Sequence, residues 1–178
     1  MAPDRFGIGV LFQPRGDRGA GAPGVHGQLH DDPGKQPRRA RATGPVSFRP
    51  LAPGVRVWGQ IHADDVVRAK DLGVTLIVNN RPDGEEPGQP ASAQVEAWAR
   101  AAGLDYASVP VRGRPTPEDA AALADLLAKT DSALIFCRSG MRSTAAWAMA
   151  QTASGAMSPD EARAAAAAAG YDLSGLPL

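Results

Sequence analysis

The sequence has 178 residues, carries 19 Lys and Arg against 19 Asp and Glu, is 43% hydrophobic and contains one cysteine. That length allows one domain of common size with a proper core. A single cysteine excludes an internal disulfide framework and points to a reducing, cytoplasmic setting, and no apolar run approaches a membrane span, so no membrane partner is expected.

The balanced charge is unevenly spread: residues 1–45 hold seven Arg and Lys against four Asp, and the remainder twelve against fifteen. The same 45 residues hold nine Gly and six Pro, with an apolar stretch only at Ile8-Gly9-Val10-Leu11-Phe12. This composition predicts a disordered extension. Asp4 and Asp17 interrupt any basic amphipathic targeting pattern, and the apolar stretch is too short for a signal peptide. Lys35, Arg38, Arg39 and Arg41 read as a solvated basic tail, and no nucleic-acid partner is expected. An alternative account of the extension is that translation begins nearer Val46. Residues 46–178 are expected to form a single domain.

Val55-Arg56-Val57-Trp58-Gly59-Gln60-Ile61 alternates apolar and polar and predicts a strand. His62-Ala63-Asp64-Asp65 opens a short helix that stops at Gly73. The β-branched run Val74 to Asn80 predicts a strand buried on both faces, and Arg81-Pro82-Asp83-Gly84-Glu85-Glu86-Pro87-Gly88 a loop. A helix follows from Ser92 to Ala102, with Val95, Trp98, Ala99 and Ala102 on one face and Gly103 as its stop. Tyr106 to Val111 predicts an edge strand, because Pro110 lacks a donor. Thr116-Pro117-Glu118-Asp119 starts a helix with a cap hydroxyl, Pro at the first position and an acid three residues on; Leu123, Leu126 and Leu127 form its buried face. Ala133 to Phe136 predicts a strand running into Cys137, followed by a helix over Ala145 to Ala150. Ser158-Pro159-Asp160-Glu161 starts the last helix, which Gly170 ends.

Alternating strands and helices imply an α/β fold, a three-layer arrangement with a mostly parallel four- to five-stranded sheet. Ligands of such sheets bind beyond the carboxyl ends of strands, where both Cys137 and the Asn79 to Glu86 loop fall. Trp58, Trp98 and Trp147 read as packing residues. With no His, Cys or paired carboxylates near His62, no metal is expected, and no cofactor is implied.

Cys137-Arg138-Ser139-Gly140-Met141-Arg142-Ser143 carries the chemistry. A cysteine between a buried strand and a helix sits where backbone N–H groups and the helix dipole converge. Arg138, Arg142, Ser139 and Ser143 add charge and donors, so the thiol is expected to ionise near neutral pH and act as nucleophile. The competing account is an inert buried cysteine beside solvated arginines. Ser143 is read as a donor to the sulfur, with helix capping as the alternative; Arg138 either faces an anion or points to solvent. Asn80, Arg81, Asp83 and Glu85 are candidates for a second wall of the site, against a solvated turn.

Gly59-Gln60-Ile61, Asn79 to Glu85, Cys137 to Ser143 and Ala169-Gly170-Tyr171-Asp172-Leu173 together resemble a small bacterial domain. It has a cysteine-phosphatase-like fold and occurs alone or fused to a metallo-β-lactamase-fold persulfide dioxygenase in β-lactamase hydrolase-like proteins. The resemblance spans Phe48 to Leu176. It implies a dual-specificity-phosphatase-like fold and an active Cys137, while members act as phosphatases or as sulfurtransferases. Cysteine phosphatases use a Cys-x5-Arg loop, whereas Arg142 comes one residue early and makes the shorter loop resemble that of rhodaneses. The Asp that serves as general acid in the phosphatases falls at Gly113, and Asp119 reads as a helix cap. Expected, therefore, is a sulfurtransferase in which Cys137 takes sulfur from thiosulfate or a low-molecular-weight persulfide and passes it to a thiol or cyanide. Arg142 would neutralise the donor, and the Ser139, Gly140 and Met141 backbone would stabilise the persulfide. A phosphatase working through phosphocysteine and a non-catalytic partner module of a persulfide dioxygenase are the alternatives.

Overall fold

The computed structural model describes residues 47–178; the expected disordered extension lies outside them. Strand β1 (Arg49–Ala52) pairs antiparallel with β2 (Val55–Trp58). Helix α1 (Ala63–Asp71), β3 (Leu76–Asn79), α2 (Ser92–Ala101), β4 (Asp105–Ser108), α3 (Pro117–Leu127), β5 (Ala133–Phe136), α4 (Met141–Ala153) and α5 (Pro159–Ala168) follow. The five strands lie in the order β1-β2-β5-β3-β4, and every pairing except β1 with β2 is parallel.

Period-two alternation divides the central strand β5 between two cores. Leu134 and Phe136 pack with Ile77, Ile61 and residues of α1 and α2, including Val66, Val95 and Ala99. Ile135 faces the other way, with Val57 and Val78, against Leu123, Trp147, Ala162 and Ala166 of α3, α4 and α5. The result is the expected three-layer α/β fold. Trp147 is fully buried, and Trp58 and Trp98 pack half-buried on the opposite layer, so all three tryptophans serve packing.

Register places the site. Trp58 and Asn79 flank Phe136 from either side, so Gly59, Asn80 and Cys137 leave the sheet together. Asn80 N donates to Phe136 O at 2.8 Å and Gln60 N to Arg138 O at 3.2 Å, holding the three chain exits side by side. Strand β2 ends at Trp58, earlier than alternation suggests, because Gly59 lies against the cysteine loop: a Cβ there would stand 3.2 Å from Arg138 O. Strand β4 is at the sheet edge and stops before Pro110, as a residue without a donor requires.

Two elements differ from expectation. Strand β1 is hidden in the sequence by Pro50, yet Arg49 and Pro50 pair across to Val57 and Arg56. Helix α4 begins at Met141 rather than Ala145, because Gly140 takes φ 95° and turns the chain into the helix at once. The Thr116–Asp119 and Ser158–Glu161 capping boxes start α3 and α5 as predicted. No helix among the described residues is long and apolar enough to cross a membrane.

Because β5 feeds both cores, Leu134→Ala and Ile135→Ala are each expected to cost about 2–5 kcal/mol of unfolding free energy. Urea titration measures this, and a cost for only one of the pair would show that a single layer carries the stability.

Candidate active site

Cys137 is the first residue beyond the central strand and is buried. Three residues, Arg138, Ser139 and Gly140, then carry the chain into α4. So short a turn brings a main-chain N–H onto the thiol: Gly140 N donates to Cys137 Sγ at 3.2 Å. The turn is braced on its far side: Tyr171 Oη donates to Ser139 O at 3.3 Å, and Thr144 donates to Gly140 O through both its N and its Oγ1 at 2.9 Å.

Arg142, in the first turn of α4, reaches across to the loop after β3. Its Nη1 donates to Glu85 Oε1 at 2.6 Å and to Val111 O at 2.7 Å, and its Nη2 donates to Glu85 Oε2 at 2.8 Å. These bonds use three of the five guanidinium N–H groups, leaving the Nε–H and one Nη2–H, which share an edge suited to gripping an anion at two points. The Arg142 hydrogen bond holds the Glu85 carboxyl down at about 2, against the cost of burial and with help from Arg81. The Arg142 proton is held more tightly than usual, first by Glu85 and then, with burial opposing, by the neighbouring Cys137. Arg142 therefore faces carboxylate and sulfur together.

A second arginine is buried behind the first. Arg81 donates to Glu85 Oε2 (2.9 Å), Gln60 Oε1 (2.9 Å) and Glu86 Oε2 (2.7 Å). Glu86 also pairs with Arg138, whose side chain is mostly exposed. Glu85 and Glu86 thus cross-link Arg81, Arg138 and Arg142, joining the loop after β3 to the cysteine loop.

Of the residues singled out by sequence, Cys137, Arg138, Arg142, Arg81 and Glu85 come together. Ser139 and Gly140 contribute backbone, and Met141 is an exposed apolar side chain beside the loop. Asn80 adjoins Cys137 in the sheet, with Nδ2 donating to Val109 O at 2.9 Å and Oδ1 buried without a partner. Two expectations are corrected. Asp83 does not line the site: its Oδ1 accepts from Ser92 N at 2.7 Å and so serves the start of α2. Ser143 is not bonded to the sulfur, because α4 begins early enough to turn this residue onto its buried face, where Oγ has no partner.

Residues 47–156 match the family described as beta-lactamase hydrolase-like protein, phosphatase-like domain. The chain belongs to that family. Relatives named beta-lactamase hydrolase-like protein from Xylella fastidiosa and Agrobacterium fabrum are 40% and 33% identical over 119 residues, 66% of this chain. The chain spans only 28% of the length of either relative. A candidate phosphatase from Neisseria meningitidis superposes with a TM-score of 0.66 at 30% identity, over 72% of this chain and 92% of that one. The kinase associated phosphatase, at 16% identity and a TM-score of 0.56 over 67% of this chain and 78% of its own, shares the fold.

Within this phosphatase-like domain, four participants escaped sequence reasoning: Gln60, Glu86, Tyr171 and the Val111 carbonyl. Glu86 carried a signal, since a carboxylate next to Glu85 in a loop facing several arginines has charge to neutralise. The Val111 carbonyl carried none, as any residue supplies one. The segment from Val109 to Pro115 contains no carboxylate, and Asp119 caps α3 by accepting from Thr116 N at 2.9 Å.

Since Glu85 ionises at about 2 in the fold against an ordinary 4.5, its stabilising contribution is complete above pH 4.5 and disappears as pH falls through about 2. Glu85→Gln is accordingly expected to lower stability by about 1 kcal/mol near neutral pH, a modest value for a partly exposed pair. The gap from wild type should close on acidification; thermal melts showing a pH-independent gap would rule the ion pair out as its source.

Proposed function

We propose that this phosphatase-like domain is a sulfurtransferase that carries sulfane sulfur on Cys137. The observation that carries this reading is the state of the nearby carboxyl groups. Glu85 is held ionised, Asp119 and Asp83 are occupied at helix starts, and no carboxylate stands in the Val109–Pro115 segment. A phosphate ester with a poor leaving group needs a proton donor; thiolate and sulfite leave as anions and need none.

The chemistry has two steps. The Cys137 thiolate attacks the outer sulfur of a persulfide or thiosulfate; a new S–S bond forms, the old bond breaks, and its electron pair leaves with the thiolate or sulfite. An acceptor thiolate such as glutathione, or cyanide, then attacks the outer sulfur of the Cys137 persulfide and returns the Cys137 thiolate. The Gly140 N–H and the free edge of Arg142 stabilise the negative sulfur. This chemistry fits a domain that hands sulfur to, or receives it from, a persulfide dioxygenase in the same cytoplasm.

A phosphatase acting through phosphocysteine is the second reading. It is favoured by Arg142, which neighbours the thiol with two N–H groups unclaimed, and by the likeness to the Neisseria meningitidis candidate phosphatase. Such an enzyme would be limited to aryl phosphates, whose leaving groups need little protonation.

Thiocyanate formation from a persulfide or thiosulfate with cyanide is expected, with higher kcat/KM for the persulfide, whose reacting group brings a single negative charge. Cys137→Ser should abolish it, and Arg142→Lys, which replaces a planar two-point donor by a single ammonium, should reduce kcat/KM at least about tenfold. Hydrolysis of p-nitrophenyl phosphate without thiocyanate formation would establish the phosphatase instead. Inactivity in both assays, with tight binding to a persulfide dioxygenase, would establish a partner module.

A further inference from the structure

Tyr171 lies outside both loops, yet it touches the peptide that serves the thiol. The carbonyl of Ser139 and the N–H of Gly140 belong to one peptide unit, and in a trans peptide the two point in opposite directions. Here the carbonyl accepts from Tyr171 Oη at 3.3 Å while the N–H donates to Cys137 Sγ at 3.2 Å. Rotating that peptide would break both bonds at once. We propose that Tyr171 is a positioning residue for the Cys137 chemistry: its hydroxyl pins the Ser139–Gly140 peptide so that the Gly140 N–H stays aimed at the sulfur. The inference rests on Cys137 being the nucleophile, whichever group it carries.

Three further observations show that the contact is built. A Cβ on Gly140 would lie 2.1 Å from the Tyr171 oxygen, so the close approach requires glycine there, beyond what its φ of 95° demands. Tyr171 is itself clamped: the Arg49 guanidinium lies 5.0 Å from its ring centroid and donates through Nη1 to Ala169 O at 3.0 Å. That clamp needs a glycine too, since a Cβ on Gly170 would stand 2.7 Å from Arg49 Nη1. Arg49 in β1, Gly170 and Tyr171 after α5 and Gly140 before α4 thus form one chain of contacts ending at the sulfur. The Ala169-Gly170-Tyr171 stretch, otherwise idle, has a use.

The charged groups around this contact are Arg49 on the Tyr171 side, Arg142 on the sulfur side and Glu85 behind Arg142. Burial pushes the Tyr171 hydroxyl up; Arg49 opposes this and the Cys137 charge adds to it. The hydroxyl therefore keeps its proton and remains a donor.

Cys137 is the one cysteine among 178 residues, so iodoacetamide alkylation reads it alone. The rate followed against pH is expected to shift to higher pH in Tyr171→Phe. The rate on the acidic limb should fall about tenfold, the size of one lost hydrogen bond to the thiolate, while the alkaline plateau stays at the wild-type level. Arg49→Met keeps the hydroxyl but loosens the ring, and should shift the profile the same way by less. If Tyr171→Phe does not fold, Arg49→Met carries the test. An unshifted profile in whichever variants fold, even with lowered melting temperatures, would reduce Tyr171 to packing and overturn the proposal. Failure of the sulfur-transfer reading would instead appear in the turnover assays, with the alkylation shift intact.

Discussion

The two-point contact between Arg142 and Glu85 joins segments 57 residues apart and holds the site in register. Without it the guanidinium would be a flexible surface charge. With three of its N–H groups tied to Glu85 and the Val111 carbonyl, it is fixed near the thiol with one edge unclaimed. The carboxylate is fixed in turn by buried Arg81, which also holds Gln60. Fixed donors stabilise developing charge better than mobile ones, because no reorganisation is needed when the charge appears. The same contact removes Glu85 from proton transfer, since a carboxyl held as an anion has no proton to give. Positioning the arginine and holding Glu85 as an anion are therefore one structural feature.

The sheet makes that contact possible. Strands β2, β5 and β3 run parallel and end in register, so the segments leaving them bring Gln60, Cys137 and Arg81 to one place. A parallel sheet buried on both faces has few other ways to gather side chains from distant segments. The helices supply the rest. Helix α4 begins immediately after the cysteine turn, giving Arg142 a rigid base, and the segment after α5 returns Tyr171 to the back of that turn.

What could be read from sequence follows the range of the interaction. The buried run of β3, the apolar strand before Cys137 and the capping boxes of α3 and α5 are local patterns, set by neighbours a few positions away. They stood out accordingly. The Cys137–Arg142 loop was legible because thiol, glycine and arginine lie within one short stretch. Strand β1 was not, since Pro50 looks like loop chemistry and only pairing with β2 makes it a strand. Nor was the task of Glu85, Tyr171 or Arg49: each meets its partner across 57, 32 or 120 residues, and no local pattern encodes such a meeting. Asp83 and Ser143 misled for the converse reason. Both are polar residues close to the chemistry in sequence, but one is claimed by a helix start and the other by a buried helix face.

The charges gathered at the mouth bear on which donor suits the site. Arg81, Arg138 and Arg142 face Glu85 and Glu86. Among these five groups the surplus is one positive charge. A doubly charged phosphate ester or thiosulfate would lie close to two carboxylates. At separations of about 4 Å and partial burial, each unmet like-charge contact opposes binding by up to a few kcal/mol. A persulfide group carries a single charge, within the capacity of the unclaimed Arg142 N–H groups and the Gly140 N–H. Glu85 and Glu86 thus divide the three guanidinium groups between them, so an incoming anion meets carboxylates as well as arginines.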